Sequence, residues 1–307
     1  MKHAIVTGAT GFLGNYLVRE LLENNIRVTA VIRDPAKADV LPHDGRLDHV
    51  VCDMEFYDSL PGMIADRDCD VFFHLAWDSV YGPGRKDIML QALNVEGSRK
   101  AVNAAQRIGC RRFVGIGSIM EKESCEVTAA DGTHPSEAYY YGEAKHFSHL
   151  VTKAAAAGCG IEHVWAILTN PYGKYDTSTR FINNTLKNIL GGEELVFTEG
   201  RQMYDFIHAE DAARAIRMLG EKGRPFHSYL VGSGAPRPLR EFIRMIGQTL
   251  APERELLFGK VPYTGTTMSQ EDFSTGPLYE DTGFSPRVRF EEGIVDTMEW
   301  LKSEKGS

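Results

Sequence analysis

A glycine-rich turn lies directly behind a short apolar segment near the start of the chain, and this order leaves few folds open. The sequence HAIVTGATGFLG runs from a strand-like pattern through Gly8, Gly11 and Gly14 into an amphipathic helical pattern. Glycines let a backbone turn tightly and approach a pyrophosphate closely, and the start of the next helix offers free N–H groups and a positive dipole end. The order of strand, glycine turn and helix therefore predicts a dinucleotide-binding site.

Short apolar segments alternate with longer amphipathic ones through the first half of the chain. The short segments are rich in Val, Ile and Phe, as buried parallel strands are, and they read HAIVTGA, RVTAVIRD, LDHVVCDM, CDVFFHLAW, RRFVGIGS and EHVWAIL. Repeated strand–helix–strand units imply a parallel sheet with helices on both faces. The sequence therefore predicts an α/β protein with a Rossmann-type, doubly wound parallel sheet.

This alternation stops after residue 170, where loop-like segments such as TNPYGKYDTSTR and GSGAPRPLR appear. The change of pattern suggests a smaller lobe packed at the end of the sheet. We expect residues 1–170 to form the Rossmann domain, to which the chain returns at about 205–232. Residues 171–204 and 233–307 are expected to form a C-terminal substrate-binding lobe.

Charge and cysteine content exclude several classes of protein. The net charge is 34 − 42 = −8 and no long basic run occurs, so nucleic acid is not expected as a partner. The five cysteines lack CxxC spacing and the ten histidines lack metal spacing, so neither a disulfide framework nor a metal site is expected. Strand-like sequence begins at Lys2, which leaves no room for a signal peptide, and no apolar segment reaches the ~20 residues of a membrane span. We therefore expect a cytoplasmic protein with no membrane segment.

The segment AYYYGEAK, residues 138–145, places three consecutive tyrosines before one lysine. If the segment is helical, Tyr141 and Lys145 lie about 40° apart and one turn from each other on one face. Tyr140 and Tyr139 would lie about 140° and about 120° from the lysine, on opposite sides. Only Tyr141 is therefore expected to share a site with Lys145.

Further motifs follow one another in the order of a large enzyme superfamily. They are TGATGFLG at 7–14, HLAW at 74–77, NVEG at 94–97, NPYG at 170–173 and YDFIH at 204–208. Together they resemble the extended short-chain dehydrogenase/reductases, the NAD-dependent epimerase/dehydratase family of nucleotide-sugar epimerases, dehydratases and 4-ketoreductases. The resemblance covers nearly the whole chain and implies a nicotinamide-dependent enzyme that acts on a nucleotide-linked sugar.

In this superfamily a serine and a Tyr-x-x-x-Lys pair carry the chemistry, and Ser118, Tyr141 and Lys145 match them. Ser118 ends the strand-like segment RRFVGIGS, and ligands bind at the carboxyl ends of strands in such sheets. A free tyrosine has a pKa of about 10, and a nearby ammonium group lowers it. The resemblance implies that Tyr141 exchanges a proton with the substrate oxygen while hydride moves to or from the nicotinamide. Lys145 is then expected at the nicotinamide ribose and Ser118 at the substrate oxygen.

The cofactor preference depends on the end of the second strand. NAD sites usually place Asp or Glu there to bind the ribose 2′-OH, whereas an arginine accommodates the 2′-phosphate of NADP. Here Arg33 comes first and Asp34 follows, and the segment resembles the VRDP of NADPH-dependent extended reductases. We expect NADP(H) to be favoured, with NAD(H) as the open alternative. The residues expected at the cofactor are Gly8, Thr10, Gly11, Phe12, Leu13, Gly14, Arg33, Asp53, Met54, Leu75, Ala76, Trp77, Asn94, Tyr141 and Lys145.

Two departures from the family pattern concern the substrate. The 4,6-dehydratases carry Asp-Glu directly after the Ser or Thr, whereas Ile119 and Met120 stand here and Glu121 comes one position late. A dehydratase of that type is therefore disfavoured. The arginine of the RDFIH segment, which contacts the substrate diphosphate in the family, is replaced by tyrosine, so other arginines become candidates for phosphate. The residues expected at the substrate are Ser118, Asn170, Arg180, Arg201 and Tyr204.

Several functions remain open at this point. The first is a 4-ketoreductase of nucleotide-linked sugars, because net reduction suits an NADPH-type second strand. A nucleotide-sugar 4-epimerase with tightly bound NAD and a reductase of small non-nucleotide carbonyls are the alternatives. A redox-sensing regulator that binds NADP without catalysis is a fourth, although such relatives lose the Tyr–Lys pair that this chain keeps.

Two further expectations concern the surface of the protein. The helices expected around 88–108 and 139–156 match those at the dimer interface of the family, so the resemblance implies a homodimer. The segment GPGRKD, after the fourth strand, is interpreted as a solvent-exposed loop near the cleft.

Overall fold

The computed structural model describes residues 1–129, 136–263, 265 and 268–305. The strands in these ranges are β1 (His3–Thr7), β2 (Arg27–Ile32), β3 (Leu47–Val51), β4 (Val71–His74), β5 (Arg112–Ser118), β6 (Glu162–Leu168), β7 (Asn170–Tyr172), β8 (Leu195–Val196), β9 (Met203–Tyr204), β10 (Phe206–His208), β11 (His227–Val231), β12 (Arg237–Pro238) and β13 (Leu256–Leu257). The helices are α1 (Phe12–Glu23), α2 (Leu60–Met63), α3 (Ile88–Ile108), α4 (Met120–Ala129), α5 (Tyr140–Cys159), α6 (Phe181–Gly191), α7 (Ala209–Lys222), α8 (Leu239–Leu250), α9 (Gly276–Thr282) and α10 (Phe290–Lys305).

The central sheet has the strand order β3-β2-β1-β4-β5-β6-β11, and every pair in it is parallel. The order reverses between β1 and β4, so the carboxyl ends of these strands flank a switch point where ligands bind in such sheets. The prediction of an α/β, doubly wound parallel sheet is confirmed.

Helices cover both faces of the sheet because successive strand residues point to opposite sides. In β1, Ala4 and Val6 belong to a core cluster that contains Leu17 of α1 and Ile216 of α7. Ile5 points the other way and belongs to a second cluster, built mainly with α3 and the neighbouring strands. The central strands are therefore apolar on both faces, which is why they read as continuous hydrophobic segments in the sequence, whereas the edge strand β3 is largely exposed.

The glycine turn joins β1 to α1 through a backbone that few side chains allow. Gly8 has φ +68°, a left-handed conformation that favours glycine. A methyl group added at Gly14 would lie 2.0 Å from the carbonyl oxygen of Gly8, so only glycine lets the helix start this close to the turn.

A smaller unit follows the sheet and has its own apolar cluster. Its core residues lie mainly on α6, α8 and α10, among them Ile182, Leu186, Phe242, Ile243, Ile294 and Met298. Three two-stranded sheets border it, formed by β7 with β10, β8 with β13, and β9 with β12. The assignment of substrate binding to this lobe, with the boundaries given above, stays a prediction. No helix in the described parts of the chain is long and apolar enough to cross a membrane.

Candidate active site

Three side chains named by the sequence meet at the carboxyl end of β5. Ser118 is the last residue of that strand, and α5 carries Tyr141 and Lys145 one turn apart. Both helix side chains are buried, whereas Tyr139 and Tyr140 are partly exposed. The side chain of Ser118 lies close enough to that of Tyr141 to lower the pKa of the phenol. The structure therefore brings together the serine, the tyrosine and the lysine of the sequence-predicted triad.

Lys145 is held by a backbone carbonyl and an aromatic face. Its Nζ donates a hydrogen bond to the carbonyl oxygen of Ile116 at 2.8 Å and lies 3.7 Å from the ring centroid of Trp77. Burial lowers the pKa of Lys145 to about 7, and the carboxylate of Glu121 acts in the opposite direction. The amino group of Lys145 is thus fixed in place, and burial makes its charged form less favourable than in water.

The phenol of Tyr141 lies between an indole and a guanidinium group. The ring of Trp77 meets it edge-on, with centroids 6.1 Å apart, and the guanidinium carbon of Arg85 lies 4.6 Å from the phenol ring centroid. Burial raises the pKa of Tyr141, whereas the charge of Arg85 and the nearby hydroxyl of Ser118 lower it. The balance between burial and nearby cations therefore controls how readily this residue gives up its proton.

A buried carboxylate lies beneath the triad. Because β5 ends at Ser118 and a helix starts two residues later, Glu121 falls in the first helical turn. Its Oε1 accepts a hydrogen bond from the backbone N–H of Ser118 at 2.8 Å and from the indole N–H of Trp165 at 3.1 Å. A methyl group on Gly117 would lie 2.1 Å from this oxygen. Glu121 is therefore engaged with the backbone that carries Ser118.

Arg33 lies where the sequence predicts a contact to the cofactor phosphate or ribose. Its side chain is 64 % exposed, and Nη1 donates to the carboxylate of Asp78 at 3.0 Å. The carboxylate of Asp34 accepts a hydrogen bond from the N–H of Ala36 and so caps the short turn that follows β2. Both side chains at the end of the strand are therefore exposed, the acidic one bonded to the backbone of the next turn and the arginine paired with Asp78.

The other residues predicted at the cofactor surround the carboxyl ends of β1 and β4. Asn94 is buried and uses both ends of its amide on the backbone of Asp78, at 2.8 and 2.9 Å. The carboxylate of Asp53 caps the N–H of Glu55 at 3.1 Å. These contacts stabilise loops at the site, and direct contact with a cofactor stays a prediction. Partly exposed side chains at this edge are those of Thr10, Phe12, Leu13, Met54, Leu75, Ala76 and Trp77.

One of the residues predicted at the substrate, Arg180, lies beside the start of α1. Arg180 pairs with Asp176 at 3.1 Å, and its guanidinium lies 5.4 Å from the ring of Phe12 at the start of α1, so it reaches the cleft.

The remaining candidates lie in the lobe or in the links to it. Asn170 donates its side-chain amide to the carbonyl oxygen of Asp205 at 3.2 Å. Tyr204 stacks on Phe206 with centroids 5.5 Å apart, and burial raises its pKa. Arg201 is exposed and has no ion pair in the described parts of the chain. Their contact with substrate stays a prediction.

Comparison with known proteins agrees with this geometry. The model of the NAD dependent epimerase/dehydratase family matches residues 4–232, about three quarters of the chain. This chain belongs to that family. Its resemblance to the extended short-chain dehydrogenase/reductases, stated above from the motifs, is thereby confirmed.

Individual members of the NAD dependent epimerase/dehydratase family align with nearly the whole chain. A dTDP-glucose 4,6-dehydratase of Streptomyces niveus is 26 % identical over 322 residues, which cover 98 % of this chain and 93 % of that protein. The crystal structure of UDP-glucose 4-epimerase from Thermotoga maritima has a TM-score of 0.79 at 20 % identity and covers 99 % of each chain. DesIV, a dTDP-glucose 4,6-dehydratase from Streptomyces venezuelae solved with NAD bound, has a TM-score of 0.79 at 22 % identity, covering 99 % of this chain and 98 % of that one.

The sequence analysis did not predict two residues that lie beside the triad of this protein. Arg85 lies in the segment interpreted above as a solvent-exposed loop, yet its guanidinium covers the phenol of Tyr141. Gln91 is buried under the same segment and bonds to it. The only hint in the sequence is an arginine directly after Gly-Pro-Gly, in the connection that follows a strand ending at the cleft. This hint is weak on its own.

Proposed function

We propose that this protein transfers a hydride between a nicotinamide dinucleotide and C4 of a nucleotide-linked sugar, and that its main reaction is the reduction of a 4-keto sugar. The observation that carries the proposal is the buried group of Ser118, Tyr141 and Lys145 at the carboxyl end of β5, next to the glycine turn. The relatives named above, which act on dTDP- and UDP-linked glucose, support a nucleotide-linked sugar as the substrate.

The residues at the glycine turn fit a dinucleotide. Gly11 caps α1 without any side-chain hydrogen bond from the described residues, so the first N–H groups of the helix remain available for a pyrophosphate. The close approach of Gly14 to Gly8 brings this helix start up to the turn. When bound, the nicotinamide supplies or accepts the hydride.

The protein side chains would handle the proton and the substrate oxygen. In the direction of reduction, Tyr141 gives its phenolic proton to the C4 oxygen, and Ser118 holds that oxygen by a hydrogen bond. Lys145, fixed by the carbonyl of Ile116, keeps a positive charge near the phenolate that forms. In the direction of oxidation the same groups take the proton back.

Water elimination, the reaction of the dehydratase relatives, is disfavoured by the side chains that follow the serine. Ile119 and Met120 offer no acid or base, and the carboxylate of Glu121 is hydrogen-bonded to Ser118 N–H and Trp165. The 4-epimerase reaction is the second candidate, because it needs only the same triad. The similarity in fold to UDP-glucose 4-epimerase along the whole chain favours it over the reduction of a small non-nucleotide carbonyl.

Product mass separates these reactions in one experiment. The purified protein is incubated with UDP- and dTDP-linked hexoses and with their 4-keto-6-deoxy forms, each with NADPH or NADH. Reduction adds two hydrogen atoms to a 4-keto substrate, dehydration removes one water from a hexose, and epimerisation leaves the mass unchanged but alters the proton NMR spectrum. Loss of water as the main outcome would contradict the proposal.

NADP(H) is the cofactor we propose, since the guanidinium of Arg33 at the end of β2 is exposed apart from its pair with Asp78, and the carboxylate of Asp34 caps the following turn. Similar solved structures hold NAD, so the preference needs a direct test. Arg33→Ala is expected to weaken NADPH binding by at least about tenfold and to leave NADH binding nearly unchanged, because only NADPH carries the 2′-phosphate. Titration of both nucleotides by fluorescence measures this difference.

Arg46→Ala is the matched control, because Arg46 is another arginine that is partly exposed and, like Arg33, pairs with a carboxylate, that of Asp44. An equal loss of NADH and NADPH affinity in Arg33→Ala, or tighter binding of NADH by the unaltered protein, would count against NADP(H).

A homodimer is the assembly we propose, and it is supported by an apolar surface on α3 and α5. Met89 and Leu93 of α3 and Phe147 and Leu150 of α5 are 51–69 % exposed, and the two helices pack side by side. Spacings of four and three residues place each pair on one helix face. Exposed apolar surfaces of this kind mark association sites.

Leu93→Asp is expected to raise the dissociation constant of the dimer by at least about 100-fold, because a carboxylate would be buried without a partner. Sedimentation velocity over a range of concentrations measures it. Met63→Asp introduces the same charge at an exposed apolar residue of α2, outside this surface, and is expected to leave the dimer intact. A monomeric unaltered protein, or equal effects of the two substitutions, would contradict the proposed assembly.

A further inference from the structure

The turn between β4 and α3 is built to hold one arginine over the candidate active site. Residues 83–86 form a single tight helical turn that follows Gly82, whose φ is +79°. The carboxylate of Asp87 then caps α3 by accepting hydrogen bonds from the N–H groups of Met89 and Leu90 at 3.0 and 3.1 Å. Both ends of the turn that carries Arg85 are therefore anchored.

A single buried side chain connects this turn to the indole beside Lys145. Gln91 Nε2 donates a hydrogen bond to the carbonyl oxygen of Gly84 at 2.9 Å, and Gln91 Oε1 accepts one from the indole N–H of Trp77 at 3.0 Å. Gln91 has no exposed surface. Because both contacts use one amide, the positions of Trp77 and of the turn depend on each other.

The guanidinium of Arg85 is directed at the phenol rather than at a carboxylate. It lies 4.6 Å from the ring centroid of Tyr141, and it forms no ion pair with any of the described residues. Its Nε is buried and has no hydrogen-bond partner in the same part of the chain. An arginine whose charge is not neutralised by a carboxylate acts more strongly on the aromatic group next to it.

The other charged groups around Tyr141 are differently engaged. Lys145 lies against the carbonyl of Ile116 and the face of Trp77, and Arg180 is paired with Asp176. Glu121, the acid that faces the site from α4, acts on the phenol in the opposite sense to the cations. Burial raises the pKa of Tyr141. Two positive charges lower this pKa, and the effect of Arg85 is larger than that of Arg180.

We infer that Arg85 is the electrostatic partner of the Tyr141 phenolate, and that Gln91 positions it. When Tyr141 gives its proton to the substrate oxygen, the negative charge left on the phenol faces the guanidinium across the ring. Lys145 then shares this task with a second cation that comes from a different element. The catalytic meaning of the inference rests on the proposed function, but the interaction itself can be measured without substrate or cofactor.

The experiment places difluorotyrosine at residue 141, because its phenol ionises closer to neutral pH, and follows the fluorine NMR shift against pH. Arg85→Gln is expected to raise the titration midpoint by about one pH unit, since a cation this close favours the charged form. Arg85→Lys is expected to restore part of that shift. Lys86→Gln removes the same charge from the neighbouring exposed residue and is expected to leave the midpoint unchanged.

Gln91→Ala tests the positioning role. It is expected to raise the midpoint in the same direction as Arg85→Gln, and the double substitution is expected to add little, because both act through one guanidinium. Equal midpoints in the Arg85→Gln and unaltered proteins would overturn the inference, as would equal shifts from Arg85→Gln and Lys86→Gln. Circular dichroism across the pH range shows that each variant stays folded. If no nucleotide sugar is turned over but the midpoint moves as stated, the proposed function fails and the electrostatic pairing stands.

Discussion

Replacing Tyr141 by Phe is expected to lower the turnover number about 10³-fold, which corresponds to about 4 kcal/mol of activation free energy. The substitution removes the hydroxyl group that we propose exchanges a proton with the substrate oxygen, and it keeps the aromatic ring. Loss of the polar interaction between this hydroxyl group and Ser118 is expected to cost only about 1 kcal/mol of unfolding free energy. Steady-state oxidation of NADPH or NADH with the active sugar, together with thermal melting, measures both effects.

Tyr140→Phe is the matched control for this experiment. Tyr140 is the neighbouring residue on the same helix, but it is partly exposed and about 100° away from Tyr141 around the helix axis. It is expected to keep the turnover number within about twofold of the unaltered protein, since Tyr140 lies on a different face of the helix from Tyr141 and Lys145. A variant Tyr141→Phe that retains full activity, or a Tyr140→Phe variant that loses it, would show that the proton donor lies elsewhere.

Replacing Gly14 by Ala is expected to cost about 3 kcal/mol or more in the free energy of unfolding, at the upper end of the effects of overpacking. The added methyl group would lie 2.0 Å from the carbonyl oxygen of Gly8 and 2.9 Å from the Cα of Ala9. Both neighbours are backbone atoms of the turn, so α1 must move away from β1. The first turn of the helix would then no longer face a bound pyrophosphate, and dinucleotide affinity is expected to fall by at least about 100-fold.

Gly11→Ala separates the steric effect from a general intolerance of substitution in this turn. A methyl group at Gly11 would lie 3.2 Å from the same carbonyl oxygen, and φ of −77° is open to any residue. Its unfolding free energy is expected to change by less than about 1 kcal/mol. Chemical denaturation of both variants measures the difference, and comparable stability of the two would mean that the contact between α1 and the turn is looser than the structure indicates.

The sequence patterns that predicted the sheet and the triad each lie within a short stretch of chain. The alternation of short apolar segments with amphipathic ones predicted β1 to β6 because a parallel strand covered on both faces must be apolar throughout. The spacing of Tyr141 and Lys145 predicted a shared helix face because four residues make about one turn. Both predictions depend on backbone geometry that holds within a single element.

Contacts between residues on different helices and strands could not be predicted from such a pattern. The sequence shows that Glu121 comes one position after the acid pair of the dehydratases, but not that α4 starts at Met120 and turns this carboxylate under β5 to meet Ser118 and Trp165. The sequence likewise does not show why the segment GIGS contains two glycines. In the structure a methyl group at Gly115 or Gly117 would overlap the ring of Trp165, so the glycines make room for that side chain.

The sequence by itself determined the α/β sheet, the glycine turn and the pairing of Tyr141 with Lys145, because each follows from the periodicity of one element or the conformational demands of one turn. Only the tertiary structure decided which groups surround the phenol. Arg85 and Tyr141 are far apart in the chain. They meet because Gln91 fastens the turn of Arg85 to α3, and α3 packs against α5, which carries Tyr141. Contacts of this kind depend on how separate elements pack, and packing is set by the whole core rather than by any segment that can be read alone.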